Sequence, residues 1–149
     1  MVSGLTPERV EREVLIEAPP ETVWAVITQP EHVAGWFSDI AEIDLRPGGE
    51  ITLTWDGHGT VRGRVEVVEP PRFFAFRWLS VGYGEFSEDN STLVEFSLHV
   101  EADGTRLRVV ESGFRGLDAS DDERARYADE HEGGWKVELS QLIDYVGSL

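Results

Sequence analysis

The chain has 149 residues, a formal net charge of −16 and no cysteine. A chain of this length forms one domain, here expected over residues 1–149, and buries about 68–70% of the surface that it exposes when unfolded. The lack of cysteine excludes disulfides, thiolate nucleophiles and cysteine-ligated metal sites. The 29 acidic side chains outnumber the 13 basic ones and repel phosphates and anionic lipids, which argues against nucleic-acid and membrane binding.

The first residues and the histidines carry no targeting or metal signal. Residues 1–7 lack the basic and apolar regions of a signal peptide, and no apolar run approaches the ~18 residues of a membrane span. The four histidines lack the paired spacing of a zinc motif. We therefore expect a soluble cytoplasmic protein that binds no metal and no other cofactor.

The first quarter of the chain predicts one strand followed by two short helices. From Arg9 to Ala18, apolar and charged residues alternate with a period of two, as in a half-buried strand. Pro19 and Pro20 end this strand, and apolar residues then recur at helical spacing up to Pro30. A second helical segment covers Glu31–Phe37. The two helices separate the first strand from the rest of the sheet.

Six further strands follow, and the short turns between them predict an antiparallel sheet. Thr60–Val68 alternates with Val67 on its apolar face, and Phe73–Leu79 carries three aromatic rings on one side. The glycine-rich, acidic segment Val81–Asn90 predicts a mobile loop. The six strands are predicted at Ile40–Leu45, Glu50–Trp55, Thr60–Val68, Phe73–Leu79, Thr92–Val100 and Thr105–Val110.

A long helix is predicted from Ser120 to Val146. Ser120 and Glu123 have the spacing of a capping box, and an apolar stripe begins at Trp135. Gly133 and Gly134 lie inside this helix, where each costs about 1 kcal/mol relative to alanine. They indicate either a bend or close contact with the sheet, or a hinge that lifts the first half of the helix.

Together these elements predict an α+β fold in which a curved antiparallel sheet of about seven strands wraps around the C-terminal helix. Four segments of the chain resemble the SRPBCC (START/Bet v 1-like, helix-grip) superfamily, and within it the branch similar to the activator of Hsp90 ATPase homologue. The resemblance implies a seven-stranded sheet that grips the helix around a deep pocket. The four segments are Ile16–Trp24, Gly63–Trp78, Glu111–Phe114, and Gly134–Trp135 ahead of Leu139 and Leu142.

Aromatic residues occur in every predicted element, where they either fill the core or line a pocket in which small residues such as Gly63 leave room. Micromolar affinity from apolar burial alone needs roughly 500 Å² of contact, which indicates a multi-ring or long-chain ligand. Glu111 shares a strand face with apolar residues, so it is expected to pair with an arginine inside the protein or to orient the ligand. The predicted ligand-binding residues are Trp24, Trp36, Trp55, Phe76, Trp78, Phe96, Glu111, Phe114, Tyr127, His131 and Trp135.

Three functions stay open at this point. The first is a binding domain for a hydrophobic or aromatic small molecule without covalent catalysis, because the sequence has no nucleophile arrangement, phosphate loop or metal cluster. The second is an interaction module similar to the Hsp90-activating domains, with a chaperone as its partner. The third is a weak acid/base enzyme that uses Glu111, Tyr127 or His131. The protein is expected to be a monomer or a homodimer.

Overall fold

The seven predicted strands form one antiparallel sheet in the computed structural model, which describes residues 6–79 and 86–149. Across the sheet their order is β1-β7-β6-β5-β4-β3-β2, so the first strand pairs with the last and β1 and β2 are the edges. The antiparallel sheet predicted from the short turns is confirmed. The strands are β1 (Arg9–Ile16), β2 (Ile40–Ile43), β3 (Glu50–Trp55), β4 (Gly59–Glu69), β5 (Phe73–Leu79), β6 (Ser91–Glu101) and β7 (Gly104–Ser112).

Two short helices, α1 (Pro20–Thr28) and α2 (Pro30–Trp36), connect β1 to β2 as predicted. A proline stands in the first turn of each, where its missing N–H would have no intrahelical partner in any case. The predicted loop at Val81–Asn90 lies partly outside the described residues, and its last part, Glu88–Asn90, forms a 3₁₀ turn. Among the described helices, none combines the length and the apolar character needed to cross a bilayer.

The long helix α3 (Asp121–Gly147) begins at the predicted cap. The Ser120 hydroxyl accepts from the Glu123 N–H at 3.2 Å, and the Glu123 carboxylate accepts from the Ser120 N–H at 3.2 Å. The helix continues through Gly133 and Gly134, and a Cβ at either glycine would meet no atom within 4 Å. Close contact with the sheet is therefore the wrong explanation for these glycines, whereas the hinge stays a prediction.

The alternation predicted for Thr60–Val68 breaks inside β4. Val65 pairs with Phe76 and Val67 with Ala75, so the register shifts between the two valines. Val68, which pairs with Phe74, packs against the core in place of Val67. The assignment of Val67 to the apolar face is wrong because the bulge adds a residue and reverses the side on which later side chains lie.

Most of the space between the sheet and the helices is filled by side chains. The rings of Phe74, Phe76 and Phe96 lie with their centroids 5.6 to 6.3 Å apart, and a void of only about 10 Å³ remains beside them, too small for a ligand. Gly63 leaves no room either, because a Cβ there would overlap the carbonyl oxygen of Arg77. The deep pocket implied by the resemblance is thus occupied by the protein's own rings within the described residues.

Candidate functional site

A buried carboxylate, Glu111 of β7, holds the sheet and α3 together. Its Oε2 accepts a hydrogen bond from the Trp78 indole on β5 at 2.8 Å and another from the Thr92 hydroxyl on β6. Its Oε1 accepts from the Trp135 indole on α3 at 2.8 Å. The donors come from two strands and from the helix, so this one side chain fixes the distance between the two layers.

His131, one turn before Trp135 on α3, is the remaining partner of Glu111. Its Nδ1 lies 2.8 Å from Oε2 and 2.9 Å from Oε1 of the carboxylate. The arginine partner predicted for Glu111 is therefore wrong, because the partner is a histidine. Every oxygen of Glu111 has donors, so a charge can stay in the core.

The ionisation of this pair follows from its surroundings. Burial by itself would raise the pKa of Glu111, but the hydrogen bond and charge of His131, with the donors of Thr92 and Trp78, hold that pKa below its ordinary value. Burial would likewise lower the pKa of His131, yet the hydrogen bond and charge of Glu111 raise it. Both shifts favour a carboxylate paired with an imidazolium, which together carry no net charge.

A cleft of about 150 Å³ opens beside this pair, between α3 and the sheet, and we call it the aromatic cleft. Phe37 and Trp135 are stacked in its wall with their centroids 5.5 Å apart and their planes 10° apart. Trp55 is fixed by its indole, which donates to the carbonyl oxygen of Phe37 at 2.8 Å. The aromatic cleft is lined by Phe37, Trp55, Trp78, Glu130, His131, Gly134, Trp135 and Glu138.

On its α3 side, the aromatic cleft is lined by two carboxylates, and a glycine without a side chain lies between them. Glu130, Gly134 and Glu138 are four residues apart, so they lie along one side of α3 at steps of about 6 Å. The Glu138 Oε2 is buried without a hydrogen-bond partner among residues 6–79 and 86–149, and burial raises the pKa of this carboxyl to about 7. In the described part of the chain, no three His, Asp or Glu side chains come close enough to hold a metal ion.

Four of the predicted ligand-binding residues, Trp55, Trp78, His131 and Trp135, line the aromatic cleft. Glu111 lies behind them as their hydrogen-bond acceptor. The other six do not line the aromatic cleft, because the layers meet closely there and these side chains pack against the core. They are Trp24, Trp36, Phe76, Phe96, Phe114 and Tyr127.

Individual contacts show the surroundings of three of those six residues. The Trp36 indole donates to the carbonyl oxygen of Val26 at 2.9 Å, so its polar edge is satisfied inside the helical layer. Phe114 is fully buried and supports the His131 ring from behind, edge to face, with the centroids 5.6 Å apart. Tyr127 is partly buried, with the guanidinium of Arg126 over its ring.

Sequence reasoning missed four residues of the aromatic cleft. They are Phe37, Glu130, Gly134 and Glu138, which line the aromatic cleft but are not among the predicted ligand-binding residues. The sequence contains a signal for three of them. Glu130, Gly134 and Glu138 are four residues apart, so an acidic residue lies one helical turn before the glycine and another lies one turn after it. This row of residues lies beside His131 on α3, whose side chain points toward the sheet.

Comparisons with known proteins agree with this architecture. The profile of the family described as "Activator of Hsp90 ATPase homolog 1-like protein" matches residues 17–147. Among curated protein sequences none matches the chain.

Three solved structures share its fold. Protein MLL2253 from Mesorhizobium loti is 24% identical with a TM-score of 0.80, covering 94% of this chain and 97% of its own. CalU16 from Micromonospora echinospora is 25% identical with a TM-score of 0.71, covering 93% and 75%. The Aha1 dimer from Colwellia psychrerythraea, solved in solution, is 19% identical with a TM-score of 0.75, covering 93% and 95%. The chain therefore belongs to the activator of Hsp90 ATPase homolog 1-like family.

Proposed function

We propose that this protein is a small-molecule-binding domain whose ligand occupies the aromatic cleft, without covalent catalysis. The observation that carries the proposal is the open space at Gly134 in front of a wall of four aromatic side chains. The pair Glu111 and His131 supports the wall from behind and holds two of its tryptophans in place. A rigid apolar wall with a few polar groups at its rim is typical of ligand sites.

The volume limits the size of the ligand. Ligand pockets usually measure ~300–1,000 Å³, whereas the aromatic cleft has about 150 Å³, comparable to a cavity that holds one benzene ring. The multi-ring or long-chain ligand predicted from the sequence exceeds this space. We therefore propose a ligand about the size of a single ring.

Affinity can be estimated from the same size. One ring buries ~150–250 Å², worth ~4–6 kcal/mol of apolar transfer, while association costs at least ~4 kcal/mol. The remaining ~0–2 kcal/mol corresponds to dissociation constants of tens of millimolar or weaker. Tight binding would thus require a contribution from the polar groups of the aromatic cleft.

The two neighbouring glycines of α3 supply a matched test. Leucine at Gly134 would project into the aromatic cleft, whereas leucine at Gly133 is equally suited to a helix and does not line the aromatic cleft. Single-ring compounds should shift the indole N–H signals of Trp55, Trp78 and Trp135 in NMR titrations of the parent protein. Gly133→Leu should keep these shifts and Gly134→Leu should lose them.

Two outcomes would contradict the proposal. One is binding that Gly134→Leu leaves unchanged. The other is a set of shifts confined to Trp24 and Trp36, which lie outside the aromatic cleft and report on the helical layer.

The family name and the Aha1 neighbour support a second candidate function, contact with an Hsp90-type chaperone through the exterior of the domain. A pull-down with purified Hsp90 at low and high salt, together with a measurement of its ATPase rate, tests this function. Gly134→Leu should leave both readouts unchanged if the exterior is used. The same neighbour is a dimer, which supports a homodimer over a monomer, and light scattering separates the two.

Acid/base catalysis by Glu111, Tyr127 or His131 has less support. Both oxygens of Glu111 are occupied by donors from the protein, and Tyr127 does not line the aromatic cleft. His131 shares its Nδ1 with the same carboxylate. Turnover that disappears in Glu111→Gln while the protein stays folded would favour this function over simple binding.

A further inference from the structure

We propose that the aromatic cleft binds a small organic monocation, such as an alkylated ammonium, seated over Gly134 between Glu130 and Glu138. The inference rests on the proposed function, because it names the chemical class of the ligand for the same site. Three features of the aromatic cleft support this inference. They are the orientation of its indoles, its uncompensated negative charge and the position of the open space at Gly134 between the two carboxylates.

The indoles turn their polar edges away from the ligand space. The N–H groups of Trp78 and Trp135 donate to Glu111, and that of Trp55 donates to the carbonyl oxygen of Phe37. None of the three is left to bind an anion or a neutral acceptor. What these rings offer a ligand is their π surface, which attracts cations and most strongly those whose charge is spread over methyl groups.

Negative charge at the aromatic cleft is not compensated by the residues that line it. Glu111 and His131 neutralise each other, and the described lining residues include no lysine or arginine. Among the described residues, Glu130 makes an exposed ion pair with Arg126, at 3.6 Å, and its charge also acts on His131. Charge of this sign repels an anionic ligand and attracts a cation.

Glu138 supplies the most specific part of the argument. Its Oε2 is shielded from water and accepts no hydrogen bond from any described residue, an arrangement that costs free energy unless a ligand provides the missing charge or donor. A neutral apolar ring in the aromatic cleft would leave this oxygen unsatisfied. A cation placed over the neighbouring Gly134, one helical turn away, would pair with it.

A pair of isosteric probes separates charge from shape. Choline and 3,3-dimethylbutan-1-ol have the same shape, but a carbon atom replaces the charged nitrogen in the alcohol. We expect choline to bind about 10-fold tighter than the alcohol in NMR titrations at about pH 8, where Glu138 is mostly ionised. The indole signals of Trp55, Trp78 and Trp135 report the binding.

Charge-removing variants locate the effect. Glu138→Gln should weaken choline binding about fivefold and leave only the smaller preference that the indole rings and Glu130 provide, while the alcohol stays within about twofold of its parent affinity. Asp129→Asn removes the same charge from an exposed position on α3 that does not line the aromatic cleft, and it should change neither affinity. Gly134→Leu should abolish the binding of both probes.

The outcomes distinguish this inference from the proposed function. If the alcohol binds as tightly as choline and Gly134→Leu blocks both, the inference of a cationic ligand is overturned, whereas the proposed small-molecule site is supported. If choline leaves the indole signals unchanged while neutral single-ring compounds shift them, the cation is again overturned. If no probe of either kind shifts these signals, both proposals fall. Equal losses of choline affinity in Glu138→Gln and Asp129→Asn would also overturn the inference, because they would show only long-range attraction.

Discussion

Glu111 is the residue on which the local arrangement around the aromatic cleft depends. One buried carboxylate determines where two indoles, a hydroxyl and an imidazole lie. Removing one member of such a buried, hydrogen-bonded pair leaves the other without compensation, which costs more than the pair itself contributes. The importance of Glu111 is thus structural first, and it reaches the ligand space through Trp78 and Trp135.

The first prediction concerns the charge of that carboxylate. Glu111→Gln should lower the free energy of unfolding by ~3–5 kcal/mol, because the amide loses the charge and turns an N–H₂ group toward donors. Urea denaturation measures the change. Glu42→Gln, an exposed position on β2, is the control and should stay within ~0.5 kcal/mol of the parent. An equally small effect at Glu111 would show that the network is dispensable.

The second prediction is a pH dependence of the same pair. The raised pKa of His131 means that its contribution is complete below about pH 6.5 and is lost as the pH rises through the raised value. The lowered pKa of Glu111 means that its contribution is complete above about pH 4.5 and is lost as the pH falls through the lowered value. The difference in unfolding free energy between the parent and His131→Gln should therefore be largest at about pH 4.5–6.5 and should decrease in alkali. A difference that grows with pH would contradict the assignment.

The third prediction concerns the pH dependence that Glu138 causes. Burial raises the pKa of Glu138 to about 7 from 4.5, so the folded protein binds more protons and stability should fall as the pH rises between these values. Because the side chain is only partly buried, we expect a loss of about 1 kcal/mol. Glu138→Gln should remove this loss, which urea denaturation at several pH values can measure. A parent protein as stable at pH 8 as at pH 5 would contradict it.

At the scale of elements, α3 is held by contacts at both of its halves. Glu111 anchors the middle of the helix through His131, while Tyr145 near its end is hydrogen bonded to His32 of α2 at 2.7 Å. Gly35 allows this second contact, because a Cβ on α2 at that position would overlap the Tyr145 ring. A Cβ at Gly133 or Gly134 in the middle of α3 would meet none of the described atoms within 4 Å, so the packing of this helix does not require a glycine at either position.

The fourth prediction compares glycines on these two helices. Gly35→Ala should destabilise the protein by about 1–3 kcal/mol, since the methyl group displaces Tyr145 and breaks its hydrogen bond to His32. Gly133→Ala should instead stabilise it by ~0.5–1 kcal/mol, because the methyl group meets no atom and alanine favours the helix. Thermal unfolding compares the two variants. A loss of stability in Gly133→Ala would mean that the helix bends there.

For the whole molecule, the aromatic residues decide how much room the fold leaves. A helix laid across a curved sheet can enclose a deep cavity, but here Phe74, Phe76 and Phe96 occupy the core, and the void beside them, next to α1 and α2, measures only about 10 Å³. The remaining space of about 150 Å³ lies at one edge, between α3 and the ends of α2 and β3. The fold of this family is thus shown, while the size of the aromatic cleft follows from the packing of this chain.

Much of the fold could be predicted because its signals are local. The capping box at Ser120, the prolines that begin α1 and α2, and the alternating strands each reflect neighbours along the chain. The bulge after Val65 was not predicted. An extra residue in a strand becomes visible only in the pairing of that strand with its neighbour, and the alternation of apolar and polar residues in the sequence does not reveal it.

The sequence by itself determined the order of the elements, the apolar face of nearly every strand and the family, since each of these depends on periodicity and motifs within short segments. Only the tertiary structure decided that Glu111 pairs with His131, that Phe37 joins Trp135 in a wall and that Trp36 does not. These contacts join residues that are far apart in the chain, and they depend on sheet register, sheet curvature and the approach of the helix. A change of a few ångströms in the distance between the helix and the sheet separates a filled core from an open cleft, and no local sequence pattern determines such a distance.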